Sequence, residues 1–482
     1  TVIVGLPDAA VKESKDRVET ALINSGFAPP MGRTTINLAP ADMKKEGPRF
    51  DLPIALAFLS ATGQVRDGAD GRGPLAAVGE LGLDGSVRPV AGALAVAQSL
   101  RARGVRGLIL PAGNAGEAAL VPGLEVYPAR TLTEAVTQLE AGGGEAAAPA
   151  DLDGLLAAAL DDEADFADII GQEVVKRALE IAVAGAHNVL MTGPPGAGKT
   201  MLARRLPGIM PPLTREEALE ITRVHSVAGL LPSGQPLVVR RPFRAPHHSI
   251  SSPGLIGGGG TPRPGEVSLA HLGVLFLDEF PEYRLAALEG LRQPLEDGEV
   301  TISRRLTSVT FPARLMLVAA MNPCPCGFRG DRERECVCSG HRLQQYRSRL
   351  SGPLLDRIDL RLDVPRVPPA ARRERRPSEA SAAIRARVGL ARDRQVRRLA
   401  GTGVYANAHM NARQLRTSCR LDPAAAALLD QAYDRMRLSA RAADRVVKVA
   451  RTIADLDGSD VIAVQHIGES LSYRDRRGEP GA

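Results

Sequence analysis

Apolar residues along this chain follow two rhythms, and the switches between them mark its elements. Over residues 1–139, short strand-like runs alternate with alanine-rich stretches of helical spacing. The spacing predicts strands at Val2 to Val4, Thr34 to Leu38 and Gly107 to Leu110, and helices at Ala9 to Ile23, Leu52 to Leu59, Ala91 to Ala102 and Leu132 to Leu139. Leu81 to Val90 reads as a hairpin in which Asp84 and Gly85 both take the positive φ of a tight turn. Such a mixture predicts a compact α/β or α+β domain. The rhythm then lapses. Residues 140–166 hold eight acids, no Lys or Arg and many Ala and Gly, the composition of a linker.

Periodicity resumes in DIIGQEVVKRALEIAVAGAHN, where Val174, Leu179 and Ile181 to Val183 define a helical apolar face. A buried-strand pattern follows and runs into NVLMTGPPGAGKT, from Asn188 to Thr200. Gly193, Gly196 and Gly198 remove the side chains that would keep the backbone from wrapping an anion, while Pro194 and Pro195 stiffen the turn around Ala197. Lys199 offers positive charge to the β- and γ-phosphates of a nucleotide, and Thr200 a hydroxyl to Mg²⁺. The next helix turns its positive dipole end toward the same phosphates. About seventy residues separate this cradle from the next strong strand, too many for a plain crossover, so an insertion is expected. Its second half holds His247, His248 and Gly257 to Gly260, the last read either as a flexible loop or as one that grips a substrate or a neighbouring subunit. The adjacent histidines lack a matching acid or cysteine nearby and make a poor metal site.

Two further buried strands end in polar groups. GVLFLDE closes on Asp278, suited to the Mg²⁺ shell, and Glu279, suited to polarising an attacking water, since alternation along a strand sends adjacent side chains to different sides. LMLVAAMN closes on Asn322, an amide that can orient that water or sense a γ-phosphate. Farther on, Arg357 stands between Asp356 and Asp359, either of which can make it a local ion pair. SARAADRVVKVARTIADL is an arginine-studded amphipathic helix.

Composition narrows the class. The 482 residues suggest two to four domains, their 44% hydrophobic side chains are enough for cores, and the net charge of +6 is small for this length. There is no run of 18 apolar residues and no signal-peptide pattern, so the reducing cytoplasm is expected, with no membrane partner. The opening TVIVGLP reads as a strand already under way, so an N-terminally incomplete first domain is expected. Cys324, Cys326, Cys336 and Cys338 form CxC-x9-CxC, a set of soft thiolates suited to a closed tetrahedral Zn²⁺ site rather than to disulfides, with free thiols and a redox pair as the alternatives. Cys419 stands alone and reads as a packing residue. From Arg366 to Arg398 there are 11 arginines against three acids, an excess suited to a nucleic-acid backbone or to a solvated face.

GPPGAGKT, VLFLDE, the AAMN strand and LLDRIDL, in this order, resemble an AAA+ ATPase of the helix-2-insert group, and RPFRAPHHSISSPGLIGGG resembles its magnesium-chelatase branch. KEGPRFDLPIAL with RPVAGALAVAQSLRARG is similar to the ribosomal S5-like fold of the Lon protease catalytic domain, although Arg49 and Leu94 stand where a protease would carry its serine and lysine. With the cysteine insertion, the whole chain resembles the ComM/YifB-type, competence-associated proteins. The resemblance implies an α/β fold: a Lon-like domain over 1–139, a linker over 140–166, a P-loop core over 167–365 with the cysteine insertion at 323–340, and a helical lid over 366–482. It implies a hexameric, ATP- and Mg²⁺-dependent motor acting on DNA, a helicase promoting branch migration in natural transformation. Residue by residue it makes Lys199 and Thr200 Walker A, Asp278 and Glu279 Walker B, Asn322 sensor 1, Arg357 the finger reaching a neighbour's nucleotide, and Arg441 sensor 2, with Arg445 as the alternative. A chelatase-type metal-insertion motor and a non-enzymatic scaffold are the competing readings.

Overall fold

The computed structural model describes residues 1–29, 31–41, 44–66, 73–157, 164–232, 234–260, 262–303, 308–331, 334–368 and 378–474. It divides into two compact units, Thr1–Ala159 with Thr214–Val239, and Leu160–Leu213 with Arg240–Ala482.

In the first unit β1 (Val2–Val4) pairs in parallel with β2 (Thr35–Asn37). A second parallel sheet sets β6 (Gly107–Pro111), buried throughout, between β3 (Leu75–Ala77) and β7 (Glu125–Ala129). The periodicity does not reveal β3 or β7: Leu75-Ala76-Ala77 has no β-branched residue, and Pro128 is tolerated in β7 because that strand is an edge. The hairpin forms between β4 (Glu80–Leu81) and β5 (Val87–Arg88), but only Gly85 takes a positive φ. The expectation for Asp84 is corrected by its chemistry: its carboxylate accepts from the Ser86 amide at 3.1 Å and hydroxyl at 2.6 Å, which holds the turn without a left-handed residue there. Leu94 is fully buried, and Arg49 lies in the short 3₁₀ turn Pro48–Phe50.

Residues 214–239, expected within the P-loop core, pack instead in this first unit. Helix Arg215–Ala228 opens on a capping box of Thr214 and Glu217 and buries Ala218, Ile221, Thr222, Val224 and Ser226. The Ser226 carbonyl accepts from Gly92 N at 2.9 Å, and its hydroxyl donates to the buried Glu117 carboxylate at 2.6 Å.

The second unit is built on a five-stranded, all-parallel sheet of β8 (Val189–Thr192), β9 (Phe243–Arg244), β12 (Val274–Leu277), β15 (Met316–Met321) and β16 (Leu360–Asp363). Between them lie two antiparallel hairpins, β10 (Gly257–Gly258) with β11 (Arg263–Pro264) and β13 (Glu299–Ser303) with β14 (Ser308–Pro312). The sheet order is β16-β8-β15-β12-β9, so the cradle strand and the two strands ending in polar residues are central, their carboxyl ends along one edge. Parallel strands covered on both faces need continuous apolar runs, and every residue of β12 is buried.

Helix Glu173–Gly185 packs against this sheet through Val175, Ala178, Leu179 and Ala182. Val174, counted on the apolar face from sequence, is 73% exposed: it shares its side of the helix with the buried Ala178 and Ile181 but lies in the first turn, where, among the described residues, nothing covers that side. Phe166, the last residue of the expected linker, is a fully buried core residue. Its amide donates to Ser381 Oγ at 2.8 Å, which anchors the segment to helix Ser381–Arg398 of the lid. The lid has its own core, in which Met410, Leu415, Cys419, Val446 and Ile467 pack together, and burial pushes the Cys419 thiol up to about 11. No helix among the described residues is long and apolar enough to cross a membrane.

Candidate active site

The cradle follows β8 without a break. Gly193 N donates to Met321 O of β15 at 3.2 Å, and a Cβ on Gly193 would lie 2.2 Å from Val364 O, so no other residue fits where the loop leaves the sheet. Gly196 and Gly198 take φ of 77° and 91° as the loop curls over. Lys199 Nζ is buried inside the loop, donating to Gly193 O at 2.6 Å, Pro194 O at 3.1 Å and Asn322 Oδ1 at 3.1 Å. Burial lowers its pKa, partly offset by the charge of Asp278, and an anion in the loop would restore the ammonium's stability. Sequence reading missed Gln172, whose amide donates to Ala197 O at 2.9 Å and Pro365 O at 3.0 Å and ties the loop to the segment before helix Glu173–Gly185. Its positive φ of 59° follows Gly171, also left-handed, a pairing that a GQ dipeptide only hints at.

Thr200 Oγ1 donates to Asp278 Oδ2 at 2.7 Å, which places two hard oxygen donors side by side at the cradle's mouth, as a Mg²⁺ shell requires. Asp278 also accepts from the Glu279 amide at 2.9 Å, and Glu279 takes the left-handed conformation, φ 51°. That strained turn swings the second carboxylate off the strand's alternation and out into the open, where His248 Nδ1 meets Glu279 Oε2 at 3.2 Å. Of the two histidines, His248 is thereby paired with the second carboxylate that ends the strand. The His247 ring lies tilted against that of His248 at 4.1 Å between ring centroids, and Tyr283, edge-on to His248, donates to Pro246 O at 2.6 Å. Burial, with Asp278 and Glu279 nearby, holds that phenol protonated far above its usual range. A histidine in the loop leaving a strand that pairs with β12 was the only signal, and it needed the register to be read.

Arg357 and Arg441 do not join the cradle of their own chain. Asn188, just before β8, donates from its side chain to Arg357 O at 2.9 Å, so Arg357 lies at the amino edge of the sheet. Four-residue β8 separates it from the cradle, roughly 13 Å of extended chain. Arg357 is only 8% exposed and pairs with Glu296, not with Asp356 or Asp359; it also donates to Pro353 O at 2.7 Å and Arg292 O at 3.0 Å. Arg441, 68% exposed at its side chain, reaches the same Glu296 at 3.7 Å. Arg445 is spent on Asp359 at 3.6 Å. Burial would raise the Asp359 pKa, yet the hydrogen bond and charge of His187, the charge of Arg445 and the Asn188 amide together hold it well below the usual carboxylate range.

Immediately after Asn322 the four cysteines converge. Their Sγ atoms all lie within 4.8 Å of one another, with Cys324 3.3 Å from Cys326 and 3.6 Å from Cys336. Thiolates 2.3 Å from one tetrahedral Zn²⁺ stand about 3.8 Å apart, so the set fits that ion. The Phe328 amide, first among several donors, pulls the Cys326 thiol down to about 6, while burial pushes Cys324 up.

The basic run is less free than its composition suggests. Arg387 pairs with Glu180 and Glu379, Arg398 with Asp455, and Arg392 and Arg394 donate to Val183 O and Gly458 O. Arg372, Arg373, Arg375 and Arg376 lie outside the described residues.

A parallel sheet in which the cradle strand is flanked by the last strand and the fourth, topped by a helical lid, is the AAA+ arrangement, here in its magnesium-chelatase-like form. Family models agree: "Magnesium chelatase, subunit ChlI" matches residues 165–372, "Subunit ChlI of Mg-chelatase" residues 1–114, and "Magnesium chelatase, subunit ChlI C-terminal" residues 378–474. The chain is 44% identical over 474 residues to YifB of Escherichia coli, covering 98% of this chain and 91% of that protein. It is 44% identical over 478 residues to the competence protein ComM of Haemophilus influenzae, with the same coverage. Lon protease 2 of Bacillus subtilis is 34% identical over 149 residues, 28% of this chain and 26% of that protein. The chain belongs to the ComM/YifB-type, magnesium-chelatase-like family of AAA+ proteins.

Proposed function

We propose that this chain is an ATP-hydrolysing motor that assembles into a hexameric ring in the cytoplasm and moves along or remodels DNA, as a helicase promoting branch migration. The observation that carries the ATPase half is the meeting of Lys199, the Thr200–Asp278 pair, the Glu279–His248 pair and Asn322 at one sheet edge. When bound, ATP with Mg²⁺ supplies the phosphoryl group whose transfer to water drives movement. Lys199 would neutralise the phosphates, Thr200 and Asp278 would hold the ion's shell, and Glu279, oriented by His248, would accept a proton from water. Arg357, unable to reach its own cradle, would serve a neighbour's, and Arg441, on the same Glu296, would accompany it. That division of labour supports a ring.

Support for DNA comes from the competence name of a relative and from the arginine excess between Arg366 and Arg398. With the arginines of helix Ser381–Arg398 largely occupied by the protein itself, phosphate contacts fall to Arg372, Arg373, Arg375 and Arg376. The proposal includes one Zn²⁺ per chain on the four thiolates, as a structural ion. The chelatase description of the family models favours a second reading, a metal-insertion motor. ATPase rates with single-stranded, duplex and branched DNA separate the two. Stimulation by DNA is expected, strongest with the branched form, and rates indifferent to all three would remove the DNA reading.

A further inference from the structure

The cysteine knuckle lies against the phosphate cradle. Cys324 is fully buried two residues beyond Asn322, whose side chain takes a bond from Lys199. The turn that follows is closed by Gly327 N donating to Cys324 O at 2.9 Å, with Gly327 at φ 85°. A Cβ on Gly327 would stand 2.6 Å from Pro195 Cδ and 3.9 Å from Asn322 Cγ. Only a glycine lets the turn carrying two of the thiols lie flat on the cradle's own proline. The far side of the knuckle leads into helix Gly340–Ser348, and Tyr346 from that helix donates back to Asn322 O at 3.1 Å. The loop from Asn322 to Tyr346 thus leaves and returns at the same residue of the nucleotide site.

Among the described residues, polar contacts rather than apolar packing hold that loop: the Asp331 carboxylate accepts from the Arg334 amide at 3.3 Å and pairs with Arg366 at 3.8 Å. Its sequence is rich in Gly, Arg and Glu, and Phe328 is covered by the guanidinium groups of Arg334 and Arg366 at 5.1 and 5.7 Å rather than by a core. Four ligands on one ion would add a cross-link across the loop, since metal binding to such a segment is also its folding energy. The same cross-link would fix where Gly327 presses on Pro195.

We infer that Zn²⁺ on Cys324, Cys326, Cys336 and Cys338 sets the shape of the phosphate cradle through the Gly327–Pro195 contact, so that zinc and nucleotide bind with positive coupling. The inference rests on the zinc and nucleotide readings given above. Coupling free energies are reciprocal: whatever factor zinc adds to nucleotide affinity, nucleotide adds to zinc affinity.

The test uses the full chain, a fluorescent ADP analogue with Mg²⁺, and a chromogenic chelator that reports zinc release. Zinc removal is expected to weaken analogue binding by about 5-fold or more, the lower end of measured couplings, and saturating ADP is expected to strengthen zinc retention against the chelator by the same factor. Pro195→Ala, which leaves every thiol in place, should retain about one zinc per chain by elemental analysis while its coupling falls toward none. If the zinc-free chain loses its fold by circular dichroism, the retention measurement alone decides. Equal zinc retention with and without ADP, in protein shown to contain zinc, would overturn the coupling and leave the zinc site standing. Absence of zinc would overturn the zinc reading and the coupling with it, while analogue binding in that same protein reports separately on the cradle.

Discussion

Single side chains at the cradle's edge make separable predictions. Lys199→Ala removes the one ammonium bonded inside the loop, and both nucleotide binding and turnover are expected to be lost. Glu279→Gln keeps the loop intact, so it should bind nucleotide as the parent does while turnover falls by about 10²–10⁴. His248→Ala should leave binding unchanged and reduce turnover by less, because the carboxylate survives but loses its 3.2 Å partner. Normal turnover in the Glu279 variant, measured by phosphate release, would rule out its role. Asp359 makes a different prediction. Its folded pKa is depressed, so the stability it contributes is present above the unfolded value near ~4 and is lost as pH falls toward the folded one. Asp359→Asn strands Arg445 and is expected to cost about 3–5 kcal/mol at pH 7. Thermal melting should show the gap between variant and parent narrowing below pH 4; a constant gap would mean the carboxylate's charge is not what matters.

At the scale of elements, the helix Arg215–Ala228 shows how a segment can lie between two parts of one unit in sequence and fold in the other. What ties it is a buried acid with few alternatives: Glu117 takes bonds from Asn114 Nδ2, Leu94 N and Ser226 Oγ. Ser226→Ala leaves that carboxylate one donor short, at about 1–3 kcal/mol. Hydrogen exchange should therefore speed up in residues 215–228 while the amides of β8, β12 and β15 keep their protection. Uniform loss across both units would contradict the division described. The surface that this helix covers could not be read from its sequence, because an amphipathic face specifies only that something apolar must meet it.

At the scale of the whole molecule the decisive feature is that Arg357 and Arg441, both on Glu296, do not join the loop that holds Lys199, Thr200 and Asp278. Arg357→Ala should bind nucleotide and barely hydrolyse it, with a loss of roughly 10³–10⁵ where such fingers have been measured. Lys199→Ala is expected to be inactive for another reason, the loss of its charge from the loop. Mixing the two should restore part of the ATPase rate, since some interfaces then join an intact cradle to an intact arginine. No recovery despite demonstrated co-assembly would return Arg357 to its pairing with Glu296 as a structural residue.

The sequence by itself determined the parts whose chemistry is local. A glycine-rich turn between an apolar strand and a Lys-Thr has the shape to wrap an anion, two carboxylates ending a buried strand belong at a ligand edge, and four thiols at CxC spacing within fifteen residues can meet without help from the rest of the chain. Pairings between distant residues were beyond it. That β15 lies between β8 and β12, bringing Asn322 to Lys199, that His248 reaches Glu279, that Glu296 rather than a flanking acid takes Arg357, and that Gly327 rests on Pro195 were decided by the order of strands and the close packing around them. Spacing along a chain fixes which face a side chain takes within its own element, whereas the neighbour it meets depends on how separate elements pack together.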